Sequence, residues 1–260
     1  MTDRFATTLE RSLPQLPTLS SALESMALPS LVERRQPTEI QEEWLPFTVE
    51  RVADTDDLHE AVRVRQQAYA RHLPEFSETL TEPEPADSQP GVVVLLARSK
   101  LDGSPLGSMR IQTNTYSPLP LEASLDLPPE LANASLAEAT RLGVAVGQAG
   151  SLVKTALFKA FYLHCIAHNV QYMVVAGRQP LDRQYLRLLF REVYPERGLI
   201  PLRHAGNLPH RVMSLDLDDA ERLWSEAKHP LLGFICHTLH PDIRIKQRPP
   251  RRRGLRLVQS

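Results

Sequence analysis

Between Asp56 and Tyr69 the chain sets Leu58, Val62, Arg65 and Tyr69 at i, i+4, i+7 and i+11, so the four share one face of a helix. A guanidinium is thereby placed on the side that packs against a core, where an unpaired charge costs far more than at a surface. Unless Arg65 snorkels to the edge of that face, the fold must bring carboxylates inward from elsewhere. Two more arginines sit in similar settings. Arg110 lies between Met109 and Ile111, and Arg141 precedes Leu142, Val144 and Val146, with Glu138 three residues before it. Each alone reads as a charge on an edge strand. With Glu84, Asp87 and Glu138 available, the three arginines can instead form a cluster that neutralises itself. The whole chain is balanced in the same way: 30 Lys and Arg face 31 Asp and Glu, which argues against a surface built around a polyanion.

The 260 residues suffice for one sizeable core with appendages. Residues 1–46 read as a Pro-interrupted N-terminal arm, 47–240 as the main domain and 241–260 as a basic tail. Within the main domain, Asp54 or Thr55 can cap the first helix, and the acidic, Pro-rich segment His72 to Pro90 is a long loop on the substrate side. Val92 to Ala97 and Leu106 to Thr113 form a hairpin around a Gly103 turn. A strand is expected outward from Arg141 to Gly147, followed by a helix from Ser151, a strand over Tyr172 to Ala176 and a helix over Asp182 to Val193. A strand over Arg211 to Leu217 and a helix from Asp218 complete an α+β alternation. The run Gly143 to Ser151 joins strand to helix through small residues, which let backbone N–H groups approach a phosphate. Cys165 and Cys236 are too few for a disulfide framework, and the first residues lack the apolar core of a secretion signal. A reduced, cytoplasmic protein is expected, and the longest apolar runs fall far short of a membrane span. His164, Cys165 and His168, like Cys236, His237 and His240, lack a metal signature, so no metal is expected; nor is there a Gly-x-Ser-x-Gly elbow.

Five motifs occur in order: Arg65-Gln66-Gln67-Ala68-Tyr69, Glu84 with Asp87, Gly107-Ser108-Met109-Arg110, Pro118-Leu119-Pro120-Leu121-Glu122, and Glu138-Ala139-Thr140-Arg141-Leu142-Gly143-Val144. In this order and spacing the chain resembles the acyl-homoserine-lactone (autoinducer) synthase and N-acyl amino acid synthase branch of the GNAT acyltransferase superfamily, over roughly Phe47 to Tyr194. It has His72-Leu73-Pro74-Glu75-Phe76 where autoinducer synthases carry a tryptophan, glutamate for the first of their paired acids, and Leu-Gly-Val after Arg141. These departures favour the N-acyl amino acid synthase side.

The resemblance implies a GNAT-like fold, a mixed central sheet flanked by helices and splayed between the strand ending at Gly147 and the strand Tyr172 to Ala176. It implies transfer of a fatty acyl group from an acyl-carrier-protein or CoA thioester to the amine of an amino acid, with that thioester as co-substrate and no tightly bound cofactor. The alternatives are a lactone synthase using S-adenosylmethionine and a non-catalytic module binding an acyl chain or a partner. Glu138, as base directly or through a water, and Arg141 are the implied catalytic residues, and the nearby arginines are expected to lower the basicity of Glu138. Arg65, Tyr69, Glu84, Asp87 and Arg110 would form an ionic cluster shaping the acceptor site. Val144, Val146, Gly147, Gln148, Gly150 and Ser151 would take the donor, with N–H groups near Val146 and Gly147 facing the oxyanion. Tyr185 and Tyr194 are candidates for assisting the leaving thiolate, although packing explains both. The basic run Lys246 to Arg256 would dock an acidic carrier protein or a phospholipid surface; nucleic acid is not expected as a partner.

Overall fold

The computed structural model describes residues 41–147 and 149–245; most of the expected N-terminal arm, Gln148 and the basic run Lys246 to Arg256 lie outside the described residues. Among the described residues the chain runs β1 (Gln41–Glu42), β2 (Phe47–Arg51), α1 (Thr55–Ala70), α2 (Pro74–Glu78), β3 (Val92–Ser99), β4 (Pro105–Thr113) and β5 (Leu136–Val144). It continues through α3 (Gly150–Ala167), β6 (Tyr172–Gly177), α4 (Asp182–Arg187), β7 (Arg191–Glu192), β8 (Ile200–Leu202), β9 (Leu208–Asp216), α5 (Leu217–Glu226), β10 (Thr238–Leu239) and β11 (Ile243–Arg244). The main sheet has the order β11-β2-β3-β4-β5-β6-β9-β7, with β8 also paired to β9, and a separate parallel pair joins β1 to β10. The sheet is mixed: β5 and β6 are parallel, joined through α3, whereas β2 to β5 form antiparallel neighbours.

The continuous apolar run in β3 follows from burial on both faces. Val93 and Leu95 join the main core, with Met109, Ile111 and Ala137 from the sheet and Val153, Leu157 and Phe161 from α3. Val94 and Leu96 face the other way, against Ala61 and Val64 of α1. A second cluster on that α1 side contains Leu119, Leu121, Leu136, Val174, Leu202 and Val212. Between the two clusters, cross-strand rows place Arg110 beside Val94 and Thr140, and Glu138 beside Gln112 and Val174. The polar side chains singled out in the sequence therefore line a strip of sheet between two apolar patches.

Two irregularities shape this strip. Register shifts between Ser108 and Arg110, so that Arg141 and Leu142 together oppose Met109, and Arg141 has φ 54°. A β-bulge of this kind re-aims a side chain, and a non-glycine residue in the left-handed region costs on the order of 1–3 kcal/mol. The second is the opening between β5 and β6. Their pairing ends at Ala139↔Val175, while β5 continues to Val144 on β4 and β6 continues to Gly177 on β9. The expected splay is present.

Several boundaries differ from expectation. Arg141 lies within β5, not at the start of a strand, because the chain already pairs with β4 from Ala137; the strand ends at Val144, and 145–147 lie outside it. The helix expected over Asp182 to Val193 stops at Arg187, where Leu189 turns the chain at φ 65° and Arg191–Glu192 pairs with β9. The acidic loop contains α2 and a 3₁₀ turn, Pro85–Ser88.

The sheet also reaches past residues 46 and 240. Leu45 is buried and Ile243–Arg244 adds a strand to β2. Buried Asp242 fastens this end by accepting from the Leu45 N–H at 2.8 Å and pairing with Lys100 at 2.7 Å. Lys159, buried on α3, donates to the carbonyl of Phe234 at 2.6 Å and to that of Thr238, and its Nζ lies 2.8 Å from His240 Nδ1. Buried polar groups beside these short strands fasten the segment, together with Ile235, Ile243 and Ile245 packed on the main core.

Helix α1 lies close on the sheet at Gly143, where a Cβ would meet Arg65 Cα at 2.6 Å. Gly143→Ala is therefore expected to push α1 outward and lower stability by about 1–3 kcal/mol, measured by urea unfolding, and to loosen the packing around Arg65.

Candidate active site

Asp54 caps α1 by accepting from the Asp57 N–H, and the helix presents Arg65 with 0% exposure, so this arginine does not snorkel. Its partner comes from the 3₁₀ turn at Pro85–Ser88: Arg65 Nη1 and Nη2 donate to the two carboxylate oxygens of Asp87 at 2.9 and 2.5 Å. Asp87 also accepts the backbone N–H of Glu84 at 2.8 Å, which fixes the turn. Glu84 in turn accepts from Arg141 Nε and Nη2 at 2.7 and 2.6 Å and from Arg110 Nη1 at 3.1 Å. Arg110 also reaches Asp87 at 3.3 Å and Thr140 Oγ1 at 3.1 Å. The bulge explains how Arg141 joins this group: without it, alternation from Thr140 would point Arg141 at the opposite face.

Burial alone would raise the carboxyls of Glu84 and Asp87. The guanidinium hydrogen bonds and charges outweigh it and hold both below the ordinary carboxylate range. The hydroxyl of Tyr69 is pushed up by burial against the opposing pull of the three arginines, and its ring packs 5.6 Å from that of Phe76. Phe76 lies under the Arg141 guanidinium at 5.4 Å.

A cleft of about 830 Å³ opens over this cluster, lined by Phe76, Leu119, Gln112 and the charged Glu84, Arg110, Glu122, Arg141 and Arg203, with His204 on the wall. Three arginines against two glutamates leave an excess of one positive charge along the lining. Such a cleft favours an anionic group, as the carboxylate of a small zwitterion would provide.

Glu138 stands beneath the cleft wall with 0% exposure. Its Oε2 accepts the Leu121 N–H at 3.0 Å, and Oε1 lies 3.4 Å from His204 Nε2. Arg110 and Arg141 pull its carboxyl down, as expected, but they do not set its basicity. Burial is the largest effect and pushes Glu138 up to about 8, against the Leu121 hydrogen bond and the charges of Arg110 and Arg141. The reason is distance and occupancy: the guanidiniums bond Glu84 and Asp87, and Glu138 retains one backbone donor.

The far end of β5 carries the other set of residues. Val144 O accepts from Arg71 Nη2 at 2.7 Å, Val146 is 83% exposed, and the Gly150 N–H donates to Gly147 O at 3.2 Å. Helix α3 starts at Gly150 with Ala149 as its N-cap and no side-chain cap, and exposed Ser151 lies in the first turn. Its first-turn N–H groups offer the positive end of the helix dipole. Tyr194 donates to the Asp126 carbonyl at 2.6 Å, and Tyr185 packs 5.8 Å from Phe190, with burial pushing its hydroxyl up to about 12. Thr140, Glu122, Arg203 and His204 were not singled out from the sequence. The alternation of β5 could have indicated Thr140, whereas Arg203-His204-Ala205-Gly206 has no periodicity to place it.

The family model of the N-acyl amino acid synthase FeeM matches residues 60–219, more than half of the chain. Among solved structures, the N-acyl amino acid synthase FeeM from uncultured soil microbes is 15% identical, covering 70% of this chain and 96% of its own, with TM-score 0.54. TofI, solved in a ternary complex with an inhibitor and MTA, is 12% identical, covering 66% of this chain and 92% of its own, with TM-score 0.50. At these identities the likeness is one of fold. No curated protein sequence matches the chain.

Removing one partner of the buried pair should be costly. Asp87→Asn is expected to destabilise the protein by about 3–5 kcal/mol at neutral pH, measured by denaturant unfolding. Because folding lowers the carboxyls of Asp87 and Glu84, their contribution is present above about pH 4 and is lost as pH falls through the folded values. Glu138 has the opposite sign: raised from 4.5 to about 8, it weakens the fold progressively as pH rises between those values. Glu138→Gln should therefore raise Tm relative to the parent, with the difference growing toward alkaline pH in a series of thermal melts.

Proposed function

The chain belongs to the N-acyl amino acid synthase FeeM family and is an N-acyltransferase; on that premise we propose that the cleft holds an amino acid acceptor and the β5–β6 opening admits the fatty acyl thioester. The observation that carries this reading is the position of Glu138. It pairs with Val174, one residue before the last β5–β6 pair, so a buried carboxyl stands at the fork of the splay and directly under the cleft wall.

The acceptor's carboxylate is drawn by the positive excess of the lining, with Arg110 and Arg141 holding the wall in place through Glu84. Arg141 contributes charge and position, because its Nε and Nη2 are committed to Glu84 and Nη2 also reaches the carbonyl of His204 at 2.8 Å. The attacking amine must be neutral, yet free amines are mainly protonated near pH 7. Glu138 in its ionised form takes the proton through an intervening group, because it is wholly buried and does not line the cleft. A base near 8 is suited to this transfer, since catalytic efficiency is greatest when the pKa lies near the working pH. The amine adds to the thioester carbonyl, and backbone N–H groups near Val146 and Gly147 face the oxyanion, a role worth about 3–4 kcal/mol where well formed. The C–S bond then breaks, and the thiolate leaves as thiol with one of the two protons that the ammonium loses.

Val144, Gly150 and Ser151 form the rim that receives the pantetheine arm, whose backbone bonds replace the lost strand pairing; Gln148, expected beside them, lies outside the described residues. The donor is an acyl carrier protein or CoA thioester, and the basic run after Ile245 suits an acidic carrier or a peripheral membrane surface. No helix among the described residues is long and apolar enough to cross a membrane, and a cytoplasmic location fits the proposed donors.

The purified protein is tested with dodecanoyl-CoA or a dodecanoyl carrier protein and an amino acid mixture, following thiol release and identifying N-acyl amino acids by mass. A product found only with S-adenosylmethionine present, and carrying a homoserine lactone, would move the assignment to the lactone synthases. Glu138→Gln should cut turnover about 100- to 10,000-fold while the circular dichroism spectrum is retained; an unchanged rate would remove the base role.

A further inference from the structure

We propose that His204 is a catalytic residue, its imidazole passing the amine's proton from the acceptor cleft to the buried Glu138 carboxyl. This rests on the acyl-transfer reading above and supplies the intervening group that Glu138 requires. Glu138 has no exposure and is not part of the cleft lining, so it does not meet a bound amine by itself. His204 does line the cleft, and its Nε2 faces Glu138 Oε1 at 3.4 Å. That oxygen has no hydrogen-bond partner among the described residues, an arrangement too costly to leave without use or a proton on it.

The backbone that carries the ring is held in place. The carbonyl of His204 accepts from Arg141 Nη2, and Arg141 is fixed to Glu84 in the same way that Arg65 is fixed to Asp87. The 3₁₀ turn Arg203–Ala205 that carries the histidine is thereby indexed to the ionic cluster. The charged and titratable groups around the pair come from four elements: Arg110 of β4, Arg141 of β5, Glu122 of the 3₁₀ turn Pro120–Ala123, and His210 of β9. Burial, with the charges of Arg141, His210 and Arg110, holds His204 down to about 4, against a favourable backbone contact at Pro120. A neutral imidazole therefore stands 3.4 Å from a carboxyl that is mostly protonated at neutral pH, and no further positive charge is placed beside the arginines. When Glu138 is ionised, Nε2 of the neutral ring takes a proton from the ammonium and hands it to Glu138 Oε1, while buried Nδ1 keeps its own proton: the ammonium N–H bond breaks as Nε2–H forms, Nε2–H breaks as the Glu138 O–H bond forms, and the proton then passes to solvent.

Two measurements decide the matter. In protein carrying ¹³C-labelled histidine, the ring resonance of His204, assigned by its loss in His204→Leu, is followed from about pH 5 to about pH 10. It should shift with a midpoint near 8, reporting ionisation of Glu138, and that inflection should vanish in Glu138→Gln. No such inflection in the parent overturns the proposal, whether or not any acyl donor is turned over. With dodecanoyl-CoA and the amino acid found to react, His204→Leu should lower kcat/KM about 100-fold and flatten its rise through pH 8. The double variant with Glu138→Gln should fall no further than the worse single variant. A histidine that only supports packing would instead lower Tm, leave the pH dependence of the remaining rate intact and combine additively with Glu138→Gln, and this also overturns the proposal. Absence of thiol release from the parent protein, by contrast, counts against the acyl-transfer reading alone.

Discussion

The cost of placing a guanidinium under α1 governs how this sheet face is built. Arg65 is wholly buried, and a buried charge without a partner costs several kcal/mol. The fold meets that demand by folding the acidic segment back over the strands, so that Asp87 grips Arg65 in a bidentate pair and Glu84 grips Arg141 in another. Arg110 joins the two pairs through both carboxylates. Replacing such a group by apolar side chains could be as stable, so its value lies in geometry more than in stability. It holds an otherwise irregular loop at a defined height above β4 and β5, and that height sets the depth of the cleft.

The middle strand β5 is where this arrangement meets the opening in the sheet. The bulge at Arg141 carries unfavourable backbone geometry in a residue with a Cβ, which persists because the side chain is tied to Glu84 and to the carbonyl of His204. Just before the bulge, the pairing with β6 ends at Ala139. One short stretch of chain thus leaves its parallel neighbour, turns an arginine toward the cleft and passes Gly143 beneath α1 at a distance that only a glycine tolerates. Departure from β6 exposes strand backbone on one side, and the positive cleft lies on the other face. In the proposed reaction, the amine and the thioester would reach the same few atoms from different directions.

Much of this was legible in the sequence because it follows from periodicity or from ordered motifs. Helical spacing put Arg65 on the packed face, and the need for compensating charge pointed to Glu84, Asp87 and Glu138 as a group, of which Asp87 holds Arg65 and Glu138 is bonded by no arginine. The hairpin and the β5–α3–β6 step follow from apolar runs and turns. Other features have no local signature. The bulge depends on a register shift against Met109, so the strand around Arg141 was displaced in the sequence reading. The short strands after residue 237 are held by buried Lys159 and Asp242, whose partners lie far away in the chain. His204 belongs to a turn without apolar period and gains meaning only from its distance to Glu138.

The three carboxylates near the arginines show why proximity in sequence could not fix their chemistry. Glu84 and Asp87 are hydrogen-bonded directly by guanidiniums, and for them attraction exceeds the penalty of burial. Glu138 lies near enough to feel Arg110 and Arg141 but is bonded by neither, so the loss of water dominates and its proton is held more tightly. The same positive charges that keep two carboxylates ionised are already committed when the third is reached. Because those pairs are saturated, the arginines can shape the proposed acceptor cleft without removing the basicity of the group beneath it, and the separation of roles comes from hydrogen-bond occupancy along one face of a single sheet.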